Sequence, residues 1–98
     1  MTSAQISQTI LEQLGGSKFR AMTGVKNFLR SNNSISMHLP NTKNKIKAKY
    51  LTVFLNPDDT FRLRFQKRNL ETIIDITDIH ADHLQNTFTQ TTGLYTHL

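Results

Sequence analysis

A hairpin-like segment in the middle of the chain constrains the fold more than any other feature. Two alternating segments, YLTVFL (50–55) and FRLRF (61–65), flank the turn-forming sequence NPDDT (56–60), a pattern that predicts a β-hairpin. We favour the register that gives one wholly apolar face over a one-residue slip, which would move every side chain to the other face. That register pairs Leu55 with Phe61, Val53 with Leu63 and Leu51 with Phe65.

The same register defines the opposite face of the hairpin. It places Phe54 opposite Arg62, Thr52 opposite Arg64 and Tyr50 opposite Gln66. Two aromatic rings beside two arginines are typical of a stacking platform for unpaired bases, on which arginine also contacts phosphate. The alternative is that Phe54 is covered, with the arginines laid over its ring by cation–π contacts. The sequence is compatible with both arrangements.

Lysine occupies every second position in NTKNKIKAKY (41–50), the spacing that places side chains on one face of a strand. If that strand ran straight into the hairpin, the lysines would share the core-facing side with Leu51, and unpaired buried ammonium groups are too costly. We therefore expect either a bulge near Tyr50 or a loop over 40–48, where proline and asparagine favour a loop. The segment is either a solubilising edge or a basic arm that binds an anion.

Hydrophobic periodicity and turn residues predict the remaining elements. In chain order these are a helix over 3–14, two strands within 18–39, the two hairpin strands, a strand over 71–77 with Ile74 and Ile76 inward, and a helix over 80–92. The expected fold is a single α+β domain over 1–98. It has an antiparallel sheet of four or five strands, with an N-terminal and a C-terminal helix packed on one face.

Charge is distributed unevenly along the chain. All 12 Lys and Arg side chains lie within residues 15–68, whereas residues 69–98 carry four acidic side chains and neither Lys nor Arg. Because such fields steer association with anions, the expected partner is nucleic acid or an acidic host protein surface. The chain lacks cysteine, a leader-like N-terminus and an apolar run of about 20 residues, so we expect a cytoplasmic protein that does not engage a membrane.

No motif in the sequence names a reaction, so we expect no enzyme and no cofactor. His80 and His83 are three residues apart, close to Asp78 and Asp82, and residues at this spacing share a helix face that could bind a divalent metal. The fuller HExxH pattern is missing and no further ligands are evident, so solvated histidines beside an acidic helix start are the simpler explanation of the cluster. We therefore predict no metal site.

At LGGSKFRAMTGVKNF (14–28) and GLYTHL (93–98) the chain resembles a family of short phage- and prophage-encoded proteins of uncharacterised function. The resemblance spans most of the chain and rests on its Gly-Gly-x-Lys-Phe, Met-Thr-Gly-x-Lys-Asn and Gly-Leu-Tyr-Thr stretches. It implies a bacterial host cytoplasm and a small accessory role in infection. It transfers no functional residues.

The leading hypothesis is a non-catalytic phage accessory protein that binds nucleic acid through a basic sheet face and a lysine-rich loop, with an affinity that falls with salt. The alternative is a protein-binding inhibitor of host defence machinery, such as an anti-CRISPR or other anti-defence protein. The sequence does not predict an oligomeric state. The candidate binding residues are Lys18, Arg20, Lys26, Lys43, Lys45, Lys47, Lys49, Tyr50, Phe54, Arg62, Arg64, Lys67 and Arg68.

Overall fold

A computed structural model describes residues 3–40 and 46–94, and within them the chain forms one five-stranded antiparallel sheet and three α-helices. The strands follow one another as a meander, in the order β1-β2-β3-β4-β5, which confirms the predicted α+β class. Within the same ranges no helix has the length and apolarity needed to cross a bilayer. The elements are α1 (Ser3–Leu14), α2 (Gly16–Thr23), β1 (Lys26–Arg30), β2 (Ser34–His38), β3 (Tyr50–Leu55), β4 (Phe61–Gln66), β5 (Thr72–Ile79), a 3-10 turn (Ala81–His83) and α3 (Leu84–Thr92).

The first helix, α1, confirms the prediction made from its apolar stripe. Ile10 and Leu14, four residues apart, have no exposed surface, and Ile6 packs against the same core, as expected for an amphipathic helix. Gly15, with a φ of 122°, ends the helix in a conformation that glycine adopts without steric cost. α1 contacts the first three strands and both other helices, so it connects the two halves of the helical layer.

The prediction of two strands within 18–39 is wrong for the start of the first one. Residues 18–23 belong to α2, and β1 begins only at Lys26. Phe19 and Thr23, one helical turn apart, are both buried, and the Thr23 hydroxyl donates to the Phe19 carbonyl at 2.6 Å. Gly24 stops the helix in the left-handed conformation, with a φ of 73°. Burial of one side of this short helix therefore decides its structure.

The last helix, α3, ends in the same way as α2. The Thr92 hydroxyl donates to the Phe88 carbonyl at 2.9 Å and accepts from the N–H of Leu94 at 3.1 Å, and Gly93 is left-handed with a φ of 78°. The sequence thus repeats Phe-x-x-x-Thr-Gly followed by Val or Leu, which we call the helix-end motif. The phenylalanine rings of its two copies, Phe19 and Phe88, pack edge to face with centroids 5.1 Å apart.

The central hairpin has the predicted register. It pairs Leu55 with Phe61, Val53 with Leu63 and Leu51 with Phe65. The turn is closed by Asp58, whose carboxylate accepts from the hydroxyl and the N–H of Thr60 at 2.6 and 3.2 Å. The hydrogen bond from the Thr60 hydroxyl has the larger effect and the one from its N–H the smaller. Both lower the pKa of Asp58 below its ordinary value, because they stabilise the ionised form.

The fifth strand is confirmed and is longer than predicted. Ile74 lies opposite Phe65 and Ile76 lies opposite Leu63, and both isoleucines are partly buried against the core, as expected. Two register shifts interrupt the pairing of β5 with β4, and Asp78 has a φ of 59°. Irregularities of this kind make an edge strand a poor template for another chain.

The helices cover one face of the sheet, as predicted. Phe88 of α3 lies against Phe65 of β4, with ring centroids 6.5 Å apart, as well as against Phe19 of α2. All three rings have no exposed surface. The helix expected over 80–92 is confirmed, with its first turn in the 3-10 conformation. The core is therefore a single layer between the helices and this face of the sheet.

The described part of the lysine run is not a straight extension of β3, in agreement with the prediction. Lys47 is exposed and has a φ of 57°, whereas Ala48 has no exposed surface. Backbone hydrogen bonds of 2.8 and 2.9 Å join Lys49 to the ends of β2 and β4. The left-handed residue interrupts the strand alternation that the sequence suggests. Lys43 and Lys45 lie outside the described residues.

Candidate nucleic-acid interface

The face of the sheet away from the helices, which we call the outer face, carries alternate residues of the central strands. These are Ser34, Ser36 and His38 of β2, Tyr50, Thr52 and Phe54 of β3, and Arg62, Arg64 and Gln66 of β4. The predicted cross-strand pairs are all present: Phe54 with Arg62, Thr52 with Arg64 and Tyr50 with Gln66. Long side chains on neighbouring strands cover the small ones, so that Thr52 retains only 8% of its exposure.

Arg62 is held by a carboxylate of the neighbouring strand. Its Nε donates to Asp75 Oδ1 at 2.8 Å and its second guanidinium nitrogen donates to Asp75 Oδ2 at 2.5 Å. This two-pronged bond lowers the pKa of Asp75 and raises that of Arg62, since each charge favours the other. Sequence reasoning did not find Asp75 as a partner. The charge of Arg62 is therefore largely satisfied inside the protein.

Phe54 lies beneath both arginines of the outer face. The guanidinium carbons of Arg62 and Arg64 lie 5.1 and 5.0 Å from its ring centroid, within the range of a cation–π contact. The half-buried ring thus has the covered arrangement that the sequence left open beside the stacking platform. A base could stack on Phe54 only by displacing a guanidinium group.

Arg64 has fewer polar contacts within the described residues than Arg62. Within the described residues it forms no ion pair, and its Nε is buried without a hydrogen-bond partner. A buried donor without an acceptor is costly, so a small movement that brings Arg64 to an incoming acceptor is favourable. Arg64 is the arginine of the outer face that is better suited to bind an anion.

Basic side chains collect at one end of the sheet. In this antiparallel meander β1, β3 and β5 begin where β2 and β4 end. Around that point lie five cations, which we call the basic end: Lys26, Lys47, Lys49, Lys67 and Arg68. Among the described residues here Glu71 is the acidic side chain. The sequence predicted all five cations as candidates, but it did not predict that the meander brings them together.

The opposite end of the sheet is acidic. Asp58 and Asp59 form part of the β3–β4 turn, and Asp78 lies close to the end of β5. The cations among the described strand and turn residues there are Arg30, at the end of β1, and Arg62, the second residue of β4, which is paired with Asp75. The charges of the chain are therefore separated along the strand direction, which orients the protein in the field of a polyanion.

An aromatic pair lies beside the basic end. His38 and Tyr50 are cross-strand partners whose rings meet edge to face, with centroids 4.9 Å apart. Asn27 Nδ2 lies 3.1 Å from His38 Nδ1, and His38 is also paired with Lys26 in the sheet. A depression of about 490 Å³ borders this pair. Lys26, His38 and Tyr50 thus form a cross-strand row of two rings with a cation at its edge.

His38 is absent from the residues predicted from the sequence. The signal for it was its place in SISMHL, on the side opposite Ile35 and Met37. That side could be matched to Tyr50 only once β2 is known to pair with β3, and the connection between these strands contains the lysine run.

Lys18 and Arg20 lie on α2, in the helical layer, and are not part of the outer face. The guanidinium carbon of Arg20 lies 4.9 Å from the ring centroid of Phe28 in β1, so its side chain helps to fasten the helix to the sheet. Lys18 is exposed. Of the predicted helper residues, Lys26 is the one that joins the basic end.

The histidine cluster near α3 is open to solvent. His83 Nε2 lies 3.8 Å from Asp82 Oδ2, and the two side chains are 68% and 79% exposed. In residues 3–40 and 46–94 no three His, Asp or Glu side chains come close enough to hold a metal ion. The arrangement gives no support for metal chemistry at this position.

Comparison with known proteins leaves the geometry as the starting point for function. No protein-family model matches the chain, and neither does any curated protein or solved structure.

Proposed function

We propose that the protein is a non-catalytic module that binds nucleic acid, with the basic end on the phosphates and the His38–Tyr50 pair against a base. The observation that carries this proposal is the convergence of Lys26, Lys49 and Lys67 at the end of the sheet that also holds the ring pair. Aromatic rings flanked by cations suit unpaired nucleotides, because every base has a face for stacking and every linkage has a phosphate.

The cations of the basic end extend far enough to meet more than one phosphate. Neighbouring strands lie about 4.8 Å apart, so the cations between β1 and β4 extend over roughly 14 Å. Along the axis of a duplex each strand rises about 3.4 Å per nucleotide, and its phosphates lie farther apart than this because the backbone winds around the axis. The basic end is therefore long enough to contact more than one phosphate of a strand.

The outer-face arginines have a smaller part in this proposal than the sequence suggested. Arg62 is bound to Asp75 and covers Phe54, so its use by a ligand would require breaking contacts inside the protein. Arg64, whose Nε lacks a hydrogen-bond partner, has fewer polar contacts to break and is therefore the easier of the two for a ligand to engage. Binding is thus expected at the end of the sheet, with Arg64 as a secondary contact.

Matched charge removal tests the proposal. We expect Lys49→Ala with Lys67→Ala to weaken binding to a labelled DNA or RNA oligonucleotide, and to reduce the slope of log affinity against log salt for a duplex by about 1.8, since each phosphate contact contributes about 0.9. Anisotropy titrations between about 50 and 200 mM salt measure both quantities. The control, Lys18→Ala with Arg30→Ala, removes the same charge elsewhere and should leave the slope unchanged.

Two results contradict the proposal. One is the lack of salt-sensitive binding to single- and double-stranded DNA and RNA at micromolar protein. The other is an equal loss in both double variants, which would mean that only net charge matters.

The acidic end favours a second candidate function, that of an inhibitor that binds a host protein. Asp58, Asp59 and Asp78 could occupy a groove that normally holds phosphates. A pull-down from nuclease-treated bacterial lysate tests this candidate. It requires a stable protein partner that is lost when these three aspartates are changed to asparagine.

A further inference from the structure

The turn between β4 and β5 holds a leucine in an unusual state. Leu70 has a φ of 70°, and the residue is 63% exposed to solvent. A left-handed conformation brings Cβ close to the following carbonyl and is uncommon for residues other than Gly, Asn and Asp. Leu70 therefore bears backbone strain without gaining burial, so fold stability does not account for a leucine at this position.

The turn fixes Leu70 in place. The Leu70 N–H donates to the carbonyl of Lys67 at 2.9 Å, and the Lys67 N–H donates to that of Glu71 at 2.9 Å. Gln66 Nε2 donates to the Leu70 carbonyl at 2.9 Å, and the Glu71 N–H donates to Asn69 Oδ1 at 3.1 Å. With both its N–H and its carbonyl bonded, the backbone of Leu70 is fixed, so the Cα–Cβ bond has a set direction and the turn loses little conformational entropy on contact.

Cations surround this apolar point. Lys67 and Arg68 belong to the same turn and are exposed, and Lys49 joins the end of β4 through its backbone N–H. A rigid apolar tip with a positive rim matches a base step flanked by phosphates. Architectural DNA-binding proteins insert leucine and similar side chains between bases in this way, unstacking them.

We propose that Leu70 is a wedge that inserts between adjacent bases of the nucleic acid held at the basic end. This inference rests on the proposed function and adds to it a preferred substrate, nucleic acid that is already distorted or easily unstacked. Phosphate contacts supply the salt-dependent affinity, and the wedge supplies a contact that is independent of salt.

The test combines three variants with three readouts: the urea midpoint, the affinity for a mismatched duplex and 2-aminopurine fluorescence. Leu70→Asn removes the apolar group and suits the left-handed backbone, so its urea midpoint should rise while its affinity for a mismatched duplex falls about tenfold, the scale of one lost base contact. Leu70→Met should retain affinity. Met22→Asn, which changes the 39% exposed methionine of α2 in the helical layer, is the control and should bind as the unaltered protein does. A 2-aminopurine beside the mismatch reports unstacking by increased fluorescence.

The outcomes separate the wedge from the proposed function. If the unaltered protein shows no salt-sensitive binding, both fail. If it binds, but Leu70→Asn binds with equal affinity and equal 2-aminopurine fluorescence, the wedge alone is wrong. If Leu70→Asn loses binding only to phosphatidylglycerol vesicles, the tip contacts lipid and the wedge is again wrong. A tenfold loss with an unchanged salt slope supports it.

Discussion

Asp75 illustrates how one side chain sets the properties of the outer face. Its carboxylate binds Arg62 with both oxygens and lies in the field of Arg64, which lowers its pKa further. Removing Asp75 would therefore free one guanidinium group and weaken the hold on Phe54, the ring that both arginines cover. The same residue links the stability of the sheet to its charge.

Asp75→Asn should lower stability at neutral pH and flatten the acid limb of the pH–stability profile. The folded-state pKa of Asp75 lies below its ordinary value of 3.8. Its contribution is therefore complete above the unfolded-state pKa and is lost as the pH falls through the folded one. Urea midpoints of the variant and the unaltered protein should differ at pH 7 and converge once the pH has fallen below the folded-state pKa of Asp75. Asp78→Asn, a change on the same strand, serves as the control. If the urea midpoints of Asp78→Asn and the unaltered protein converged at low pH while those of Asp75→Asn did not, the assignment of the effect to Asp75 would be wrong.

The two helix-end motifs show how the residues at the end of a helix can determine where it stops. In each copy the threonine hydroxyl donates one turn back and faces the N–H two residues ahead, at 3.4 Å for Val25 and 3.1 Å for Leu94. Thr23 and Thr92 are 1% and 0% exposed, so water cannot replace these bonds. Both helices thus end at a position fixed from inside the core.

Replacing either threonine by valine keeps the volume and removes the hydroxyl. We expect Thr23→Val and Thr92→Val each to cost roughly 1 to 3 kcal/mol, because a buried N–H loses its acceptor. Chemical denaturation measures the cost. Thr→Ser at the same positions retains the hydroxyl, and should therefore recover part of the stability. A valine variant as stable as the unaltered protein would show that the hydroxyl contributes nothing to the helix end.

The helix-end motif also explains what sequence reasoning missed. The hairpin was predictable because only one register separates apolar from charged side chains, and α1 because three turns of stripe are unambiguous. α2 has eight residues, too few for periodicity to distinguish it from a strand. Its ending matches that of α3, whose helical pattern was recognised, and comparing TGV with TGL would have identified it.

The site was predictable as a list of residues but not as a surface. The lysines and arginines follow from composition, yet their convergence depends on the order of strands in the meander. The pairing of Arg62 with Asp75 depends on a β4–β5 register that shifts twice, and no local pattern of the sequence encodes such bulges.

At the scale of the whole molecule, separated charge predicts one way of approach. A polyanion should meet Lys26, Lys49 and Lys67 first, while Asp58 and Asp78 stay in solvent. In ¹⁵N-resolved NMR titrations with a short oligonucleotide, the shifts should concentrate on the basic end and on the amides of His38 and Tyr50. Uniform shifts over both ends, or shifts centred on α2, would contradict this orientation.

The position of α3 after every strand has a consequence for the order of folding. Strands of a meander pair with the strand just before them in the chain, so the central hairpin can form from local contacts before α3 docks. Phe65 and Leu63, however, lack their cover until Phe88 packs against the sheet. Until that docking step the hairpin presents one bare apolar side, and the rate of docking sets how long chaperones and proteases can reach it.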